Sequence, residues 1–422
     1  MYSQWDISHT MEVGKIALDH HDYTTSISFF NNIISSRSNN HKAYYLRGLA
    51  KMNLGDFIGS ESDFSATIRL NPYYYDAYEQ RGAVRIRLGE YSKAIEDYKV
   101  ATLCYPNNQQ VWYNLTFCEL QSGNFSSSDS LTDVIIEKWP ASTEGYLLKS
   151  WAKYGMGDLL DSEHLIDMVL VLDPFNLVAL TIKSNYLFRA AKWEEAIVMY
   201  SRALYIHPKH IQNILNRGLC KLKSGQGSEA VMDFNLAHEL NPDNPLCEKY
   251  LSYIFQDEEN QLISQLMTDD TFVISASMFI ANNTDFSTKK LTKYDLIPPH
   301  NLTDYQNEAY NPDEFFKAGY EHLCRNDFSK AISALSKSIE INPHIPDSYY
   351  NRAFAYAYSN NFELAIKDLD AAIAERPLFA EAYFNRGIIK LFVNDKESAK
   401  YDFSKAGELG IVTAYTIIRD IN

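Results

Sequence analysis

"RGAVRIRLGEYSKAIEDYKVA", residues 81–101, contains two apolar patterns of helical spacing on either side of a turn that begins at Gly89. Apolar residues at intervals of three and four predict helices, and a glycine between two such patterns predicts a turn. Arg81 opens the stretch, and Asp97 follows sixteen positions later. Residues 352–372 repeat this arrangement. The stretch therefore predicts a helix hairpin that occurs more than once in the chain.

Proline marks a repeat of 34 residues. Prolines occur every 34 residues up to Pro242. After an interruption, Pro343 and Pro377 are again 34 residues apart. These prolines end units that tile residues 7–244 as seven copies and residues 312–411 as three. We number the positions of a unit from 1 to 34, with the proline at position 32. The prolines of the first run are Pro72, Pro106, Pro140, Pro174, Pro208 and Pro242.

Two positions of the unit admit only small residues. Position 20 is alanine or serine in every unit, and position 8 is glycine in most of them. Glycine within a helix costs roughly 1 kcal/mol relative to alanine, so its recurrence indicates a close approach that a Cβ atom would obstruct. We therefore expect the two helices of each unit to touch there. The glycines at position 8 are Gly14, Gly48, Gly82, Gly218, Gly319 and Gly387.

Arginine at position 7 is accompanied by aspartate at position 23 in five units, and neither occurs without the other. The two positions are level in an antiparallel hairpin. A charge in the seam between helices must be paired, so we expect these pairs to stabilise the hairpins rather than bind a partner. Lys149 and Lys183 lack the aspartate, and their ammonium groups are expected to reach water. The five pairs are Arg47 with Asp63, Arg81 with Asp97, Arg217 with Asp233, Arg352 with Asp368, and Arg386 with Asp402.

Composition excludes several classes of protein. The chain has 39 basic and 54 acidic residues and a net charge of −15, so a nucleic-acid partner is not expected. A membrane-spanning helix needs roughly 20 predominantly apolar residues, and no such run occurs. The five cysteines are scattered without a C-x-x-C pair, which predicts buried thiols rather than disulfides or a zinc site.

The sequence contains no catalytic motif. An H-E-x-x-H motif, a phosphate-binding glycine loop, a G-x-S-x-G motif and paired carboxylates are all missing, so neither an enzyme nor a cofactor is predicted. His207 and His210 come nearest to a metal pair, but they lie at a turn between units. His20 and His21 lie at another turn. We expect no metal at either place.

The 34-residue pattern resembles the tetratricopeptide repeat. Positions 4 and 17 are aromatic in seven units each, and the small residues and prolines fall where that family has them. Ser38 and Ile411 replace the proline in the first and last units, which is typical of capping units. The resemblance covers residues 7–244 and 312–411. It implies an all-α fold, a right-handed α-solenoid of about ten helix hairpins in which each hairpin contacts only its neighbours.

In that family, positions 2, 5, 9, 12 and 13 of the first helices line a concave surface that holds peptides or partner helices. The resemblance therefore implies partner-binding roles for aromatic residues at these positions and for asparagines at position 6. For positions 9 and 12, packing between successive first helices is the alternative. Basic residues are not grouped there, so an acidic carboxyl-terminal tail is not expected as ligand. The candidates are Tyr113, Asn114, Phe117, Trp151, Tyr154 and Phe188 in the middle units, and Phe316, Tyr320, Tyr350, Asn351, Phe354, Tyr358, Phe384, Asn385 and Phe392 in the last three.

Residues 245–311 interrupt the repeats. Their first part has helical spacing and is expected to cap the first array, whereas the polar part around Pro298 and Pro299 predicts an irregular connector. Because the length of the interruption nearly equals two units, two decayed repeats are the alternative. Residues 412–422 are expected to form a carboxyl-terminal cap.

These features predict a non-enzymatic scaffold that binds an extended peptide or a partner helix of another protein. Since aromatic grooves also stack sugars, a cell-envelope assembly or glycan-binding module is the alternative. The resemblance to long bacterial repeat proteins implies a periplasmic or cell-envelope location if a signal peptide has been removed, and the cytoplasm otherwise. The first residues show no signal peptide.

Overall fold

A computed structural model describes residues 4–242, 291–300 and 314–421. These ranges contain 21 α-helices and one 3-10 helix, Lys293–Asp295, and no strand. The first run is α1 Gln4–Asp19, α2 Tyr23–Ser36, α3 His41–Asn53, α4 Phe57–Leu70, α5 Tyr75–Arg87, α6 Tyr91–Cys104, α7 Gln109–Gln121, α8 Phe125–Lys138, α9 Thr143–Gly155, α10 Leu159–Leu172, α11 Leu177–Arg189, α12 Trp193–Ile206, α13 Ile211–Lys223 and α14 Gly227–Leu240.

The second run of helices begins after the interruption. It consists of α15 Glu314–Cys324, α16 Phe328–Ile341, α17 Pro346–Tyr358, α18 Phe362–Glu375, α19 Ala380–Phe392, α20 Lys396–Glu408 and α21 Thr413–Ile421. The predicted helical repeat is confirmed in both runs, while the right-handed coiling stays a prediction. The helix expected at the start of residues 245–311 lies outside the described residues. None of the helices in the described ranges is long and apolar enough to cross a membrane.

The turn within each helix pair contains a residue in the left-handed region at position 15. Glycine, which has no Cβ atom, adopts this conformation without strain, and asparagine tolerates it. Ala191 has φ 56° at this position, and this conformation is sterically unfavourable for alanine. His21 also fills this position, so its place in the sequence is explained by the turn. The others are Gly55, Gly89, Gly123, Gly157, Gly225, Asn326, Asn360 and Asn394.

The helices of a pair touch at the small positions, as the sequence predicts. A Cβ atom on Gly48 would lie 2.9 Å from the ring of Phe64, and one on Gly387 would lie 2.9 Å from the ring of Phe403. The Oγ atom of Ser60, at position 20, donates to the carbonyl oxygen of Gly48 at 2.8 Å. In these two units position 8 is packed against an aromatic ring at position 24, and in the unit of Gly319 it is packed against Leu335.

The arginine and aspartate of the hairpin seam form two parallel hydrogen bonds of 2.5–2.9 Å in four of the five predicted pairs. This bidentate geometry is the strong form of the interaction. The fifth pair, Arg81 with Asp97, spans the two compact units described below and stays a prediction. The observed pairs are Arg47–Asp63, Arg217–Asp233, Arg352–Asp368 and Arg386–Asp402.

Lysines enter the same seam in a way that the sequence does not predict. Lys51, one turn after the arginine, places Nζ 2.9 Å from a carboxylate oxygen of Asp63. Lys149 and Lys183 each pair with carboxylates that the sequence does not predict. Lys149 pairs with Asp129 and Asp133 of α8, and Nζ of Lys183 lies 2.7 Å from Oδ1 of Asp167 in α10. These carboxylates belong to the second helix of the preceding unit, and Asp133 and Asp167 hold position 25 there.

The described residues form two compact units. The first contains α1–α5, residues 291–300 and α15–α21, and the second contains α6–α14. Helix α21, at the predicted carboxyl-terminal cap, packs on α20 and buries Ala414, Tyr415 and Ile418. Among the described cysteines, the expected burial holds for Cys118 and Cys220, whereas Cys104 is half-buried and Cys324 is exposed.

Within the first compact unit, α2, α3 and α4 contact α20. The Oγ atom of Ser404 donates to Asp56 at 2.6 Å, and the amide of Asn31 donates to the carbonyl oxygen of Glu408 at 2.7 Å. Lys51, which has no exposed side-chain surface, also pairs with the Glu408 carboxylate. The expectation that each hairpin contacts only its neighbours is therefore wrong, because helices far apart in sequence meet here.

Candidate functional site

Residues 291–300 lie against α17 and α19, the first helices of the last two helix pairs. The segment begins with the 3-10 turn Lys293–Asp295, in which the backbone N–H of Thr292 donates to the Asp295 carboxylate at 2.8 Å. It then continues in extended form. Leu296 is buried in the same apolar cluster as Tyr350 and Phe384, so the segment is packed into the surface rather than laid over it.

Two asparagines bind the backbone of this segment. The N–H of Ile297 donates to Oδ1 of Asn385 at 2.7 Å, and Nδ2 of Asn385 donates to the carbonyl oxygen of Ile297 at 2.9 Å. Asn351 binds the N–H and the carbonyl oxygen of His300 at 2.8 and 2.9 Å. Each side-chain amide thus satisfies both backbone groups of one residue, and neither contact depends on the side chain of the residue that is bound.

Two tyrosines supplement the asparagines. The hydroxyl of Tyr350 donates to the carbonyl oxygen of Ile297 at 3.0 Å and accepts from Nδ2 of Asn385 at 2.8 Å. Burial raises the pKa of Tyr350, which keeps its hydroxyl protonated and able to donate. The hydroxyl of Tyr358 donates to the carbonyl oxygen of Lys293 at 3.2 Å. We call the surface formed by Asp347, Tyr350, Asn351, Tyr358 and Asn385 the C-terminal groove.

A pocket at one end of the C-terminal groove holds the ring of His300. The ring centroid lies 4.7 Å from that of Tyr350 and 5.3 Å from that of Phe379, and Nδ1 lies 2.9 Å from Oδ1 of Asp347. The Asp347 carboxylate is fully buried and also pairs with Arg376. Although burial opposes ionisation, the hydrogen bond from His300 and the charge of Arg376 lower the pKa of Asp347. The pocket therefore offers a fixed negative charge between aromatic walls.

The other candidate residues of the last units lie partly beside the groove and partly in a separate cluster. Phe384 and Phe392 line a cavity of about 600 Å³ together with Leu291 and residues of α21. Phe354 stacks on Tyr358 at 4.6 Å and supports the ring that bonds the segment. Phe316 is buried in a separate cluster with Leu323 and Leu335, and Tyr320 is half-buried.

The candidates of the middle units are satisfied by nearby side chains. Nδ2 of Asn114 donates to the hydroxyl of Tyr98 at 3.0 Å, and its Oδ1 accepts from Gln110 at 2.9 Å. The rings of Phe117 and Trp151 meet edge to face at 6.0 Å. This contact between successive first helices favours the packing interpretation of position 9.

The remaining middle candidates also contact their neighbours. The hydroxyl of Tyr113 bonds the Ser142 hydroxyl, and the hydroxyl of Tyr154 accepts from Arg189 at 3.1 Å. Phe188 packs edge to face on Trp193 at 5.3 Å. Of the two groups of candidates, the structure places an extended segment against the last one.

A comparison with protein-family models agrees with the repeat length. The model described as "Tetratricopeptide repeat" matches residues 45–109 and 350–389, and the second range contains most of the C-terminal groove. Within these two ranges the chain contains tetratricopeptide repeats. No curated protein sequence matches it.

Several solved structures are similar to this chain. A tetratricopeptide repeat protein from Parabacteroides merdae is 16% identical, with a TM-score of 0.47 over 59% of this chain and 98% of that one. The C-terminal part of a repeat-containing protein from Cytophaga hutchinsonii is 15% identical, with a TM-score of 0.47 over 57% and 98%. PilF of Pseudomonas aeruginosa is 13% identical, with a TM-score of 0.43 over 51% and 99%.

Reasoning from the sequence misses four contributors to the groove: Asp347, Arg376, Phe379 and the segment 291–300 itself. A signal exists for one of them, because Asp347 occupies position 2 of its repeat, where the family's concave surface is lined. Asp347 is neither aromatic nor an amide, so the features that indicate the other candidates do not indicate it. Arg376 and Phe379 lie in the link between repeats, so no groove position points to them.

Within the described ranges, no group of three or more histidine, cysteine, aspartate or glutamate side chains could hold a metal ion. His210 instead caps α13, where its Nδ1 accepts from the backbone N–H of Asn213 at 3.2 Å. The ring of His207 lies 5.8 Å from that of His210. The HPKH turn is thus explained by helix capping.

Proposed function

We propose that the protein is a non-enzymatic scaffold that binds an extended peptide of a protein partner in the C-terminal groove. Tetratricopeptide repeats support protein–protein interaction in general. The observation that carries the finer proposal is that Asn351 and Asn385 each bind the N–H and the carbonyl oxygen of one extended residue.

The bound segment excludes water from both amides: Asn351 and Asn385 are 0% and 3% exposed with residues 291–300 in place. Removing the partner of one of these buried groups costs about 1–3 kcal/mol. Contacts to the main chain supply affinity for any extended segment, while neighbouring pockets select side chains. The groove offers both kinds of contact, because the apolar cluster that buries Leu296 lies beside the asparagines that bind the main chain.

A peptide fits this site better than a sugar does. Each asparagine presents its oxygen and its nitrogen to an N–H and a carbonyl oxygen of the same residue, which is the pattern of a peptide backbone. Tyr350 adds a donor to one of these carbonyl oxygens. No observation in the described ranges favours the glycan-binding alternative.

The test uses the full chain with Leu296→Asp. Leu296 is buried among apolar side chains, and an unpaired carboxylate there is costly, so the segment leaves the groove while the groove residues stay unchanged. A display library of random short peptides is panned against this variant. We expect enrichment of peptides that bind it.

The control is the same chain with Asn385→Ala added. Removal of the amide leaves a bound N–H and carbonyl oxygen unpaired, so binding of the enriched peptides should weaken about tenfold or more. Failure to enrich any peptide, or enrichment that is indifferent to Asn385→Ala, would contradict the proposed function.

A further inference from the structure

The spacing of the bound backbone residues matches the spacing of the repeats. Asn385 and Asn351 hold position 6 in adjacent repeats, whereas the residues that they bind, Ile297 and His300, are three apart. The segment therefore advances three residues for each repeat that it passes. It runs in the opposite direction to the repeats, since its later residue contacts the earlier repeat.

A three-residue period is that of the polyproline II helix. Leu296 has φ −64° and ψ 136°, close to the values of that conformation. Pro298 and Pro299 fix their own φ near the same value, and each restricts the residue before it to extended conformations. With a rise of about 3.1 Å per residue, Ile297 and His300 are separated by about 9 Å, which matches the 8–10 Å typical of packed helices.

The two prolines also fit the hydrogen bonding of the groove. Proline has no N–H, and none of the buried unpaired side-chain acceptors in the described ranges belongs to the groove. Pro298 is exposed and Pro299 is half-buried. The residues that still carry an N–H are those that the asparagines bind. A segment that is already extended when free loses less conformational entropy on binding, which favours proline at these places.

The side chains that flank the prolines are bound as well. Leu296 is buried in the apolar cluster of the groove, and His300 enters the pocket formed by Tyr350, Phe379 and the Asp347 carboxylate. The segment thus presents an aliphatic residue, a backbone contact, two prolines and an imidazole in order. Each element meets a complementary feature of the groove.

We propose that the C-terminal groove binds a polyproline II segment of a partner protein and hydrogen-bonds to the backbone of every third residue. This inference rests on the proposed function. The chemistry of that segment is an aliphatic pair followed by two prolines and an imidazole. Residues 291–300 are then a resident competitor, which the partner segment displaces. Asn351 and Asn385, at position 6 of adjacent repeats, determine the three-residue register. The pocket that contains Asp347 determines the preference for histidine.

The experiment measures binding of a fluorescent peptide with the sequence of residues 291–300, amidated at its carboxyl end, by fluorescence anisotropy. The protein is the full chain with Leu296→Asp, compared with the unaltered chain. Because a tethered competitor acts at a millimolar effective concentration, we expect the unaltered chain to bind the peptide at least about tenfold more weakly. A full chain with Ile297→Pro, which removes the N–H that Asn385 accepts, serves as a second way to free the groove.

Three altered peptides test the register. N-methylation of Ile297 removes the same N–H and should weaken binding about tenfold or more. Replacement of both prolines by alanine keeps the flanking side chains but loses the extended preference, so binding should weaken severalfold. Replacement of His300 by alanine should weaken binding by a similar factor, and by a smaller factor once Asp347→Ala has removed the partner of its ring nitrogen, because the ring contacts with Tyr350 and Phe379 remain.

The outcomes separate this inference from the proposed function. Equal binding of the unaltered, methylated and alanine peptides would overturn the three-residue register, while peptide binding itself would stand. Failure of the unaltered peptide to bind either freed chain, when the display library still yields binders that depend on Asn385, would also overturn this inference alone. Failure of both the peptide and the library would overturn the two proposals together.

Discussion

The same position of the repeat is used differently in the two compact units. Asn114 in the second unit is bonded by the side chains of Tyr98 and Gln110 from its own surroundings, whereas Asn385 in the first unit is bonded by the backbone of Ile297. Both asparagines are buried and satisfied. The difference lies at the amide oxygen, which accepts from Gln110 in Asn114 and from the backbone N–H of Ile297 in Asn385.

The charged seam shows a similar contrast. Asp63 in the first unit and Asp233 in the second each bind an arginine in bidentate form and a lysine one turn later. The lysine of the first unit, Lys51, is fully buried and shared with Glu408 of the last repeat. In the second unit, Lys221 is partly exposed. Paired changes at equivalent positions can therefore test how far the units differ.

The largest contrast is expected from Asp63→Ala against Asp233→Ala. Loss of one member of a buried ion pair leaves an uncompensated charge and costs about 3–5 kcal/mol. Asp63→Ala should approach this loss, because Arg47 loses its bidentate partner in a buried place and Lys51 is left with Glu408 alone. Asp233→Ala should cost less, since water can reach Arg217 and Lys221. Urea denaturation followed by circular dichroism gives both values, and equal losses would remove the contrast.

A pH-dependent contrast is expected at Asp56. This residue is the N-cap of α4, and its carboxylate accepts a hydrogen bond from Ser404. Burial raises the pKa of Asp56 from 3.8 to about 6, because the nearby Lys51 and the hydrogen bonds offset only part of the desolvation. The folded state therefore binds this proton more tightly than the unfolded state. Stability from this group is present below pH 3.8 and is lost as the pH rises to about 6, by about 3 kcal/mol at most.

Asp56→Asn should remove that dependence. Asparagine keeps the cap, since its amide oxygen can accept the N–H of Gly59 while its nitrogen faces the Ser404 hydroxyl. Relative to the unaltered chain, the variant should therefore be more stable at pH 7 than at pH 4. Asp158, an exposed cap in the second unit, provides the matched change Asp158→Asn. A pH response of the same size in both variants would show that burial at Asp56 is not its cause.

Glu408 responds in the opposite direction. Burial raises its pKa, but the charges of Lys51, Arg47 and Lys405 outweigh burial and lower the pKa from 4.5 to about 2. Its contribution is present above pH 4.5 and is lost as the pH falls toward 2. The difference between each variant and the unaltered chain isolates Asp56 from this second group.

A smaller contrast is expected from Asn385→Ala against Asn114→Ala. The first change removes both backbone hydrogen bonds of Ile297, so hydrogen exchange at the Ile297 amide should accelerate about tenfold or more, or ~1.4 kcal/mol. The second change affects only Tyr98 and Gln110 and should leave exchange at Ile297 unaltered. Mass spectrometry of peptides that contain Ile297 distinguishes the two outcomes. Unchanged exchange in Asn385→Ala would mean that apolar packing alone holds the segment.

Local features of the fold can be predicted from the sequence because they recur. The interval between prolines, the glycine beside the Phe64 ring and the Arg47–Asp63 pair each recur in at least five units of the 34-residue pattern. The left-handed turn residue belongs to the same class. Each copy repeats the signal, so a departure in one unit does not hide the rule.

Contacts that occur once cannot be predicted in this way. Lys51 and Glu408 are 357 residues apart, and their contact depends on the accumulated geometry of many hairpins. Asn351 and Asn385 can be proposed as binding residues from their positions, but the sequence does not show that Ile297 and His300 would meet them. Asn114 has the same sequence signal and a different use, because only tertiary structure decides which neighbours reach its amide.

The smallest contrast concerns the left-handed turn residue. Ala191 in the second unit has φ 56°, a conformation that costs an L residue roughly 1–2 kcal/mol, whereas Asn360 in the first unit tolerates φ 62°. Ala191→Gly relieves this strain but gains backbone entropy in the unfolded chain, so we expect a net stabilisation of about 0.5–1 kcal/mol. Asn360→Gly should change stability less. Gly157→Ala, the reverse change at the same position, should destabilise by a similar amount, and a stabilising Gly157→Ala would show that this turn carries no steric cost.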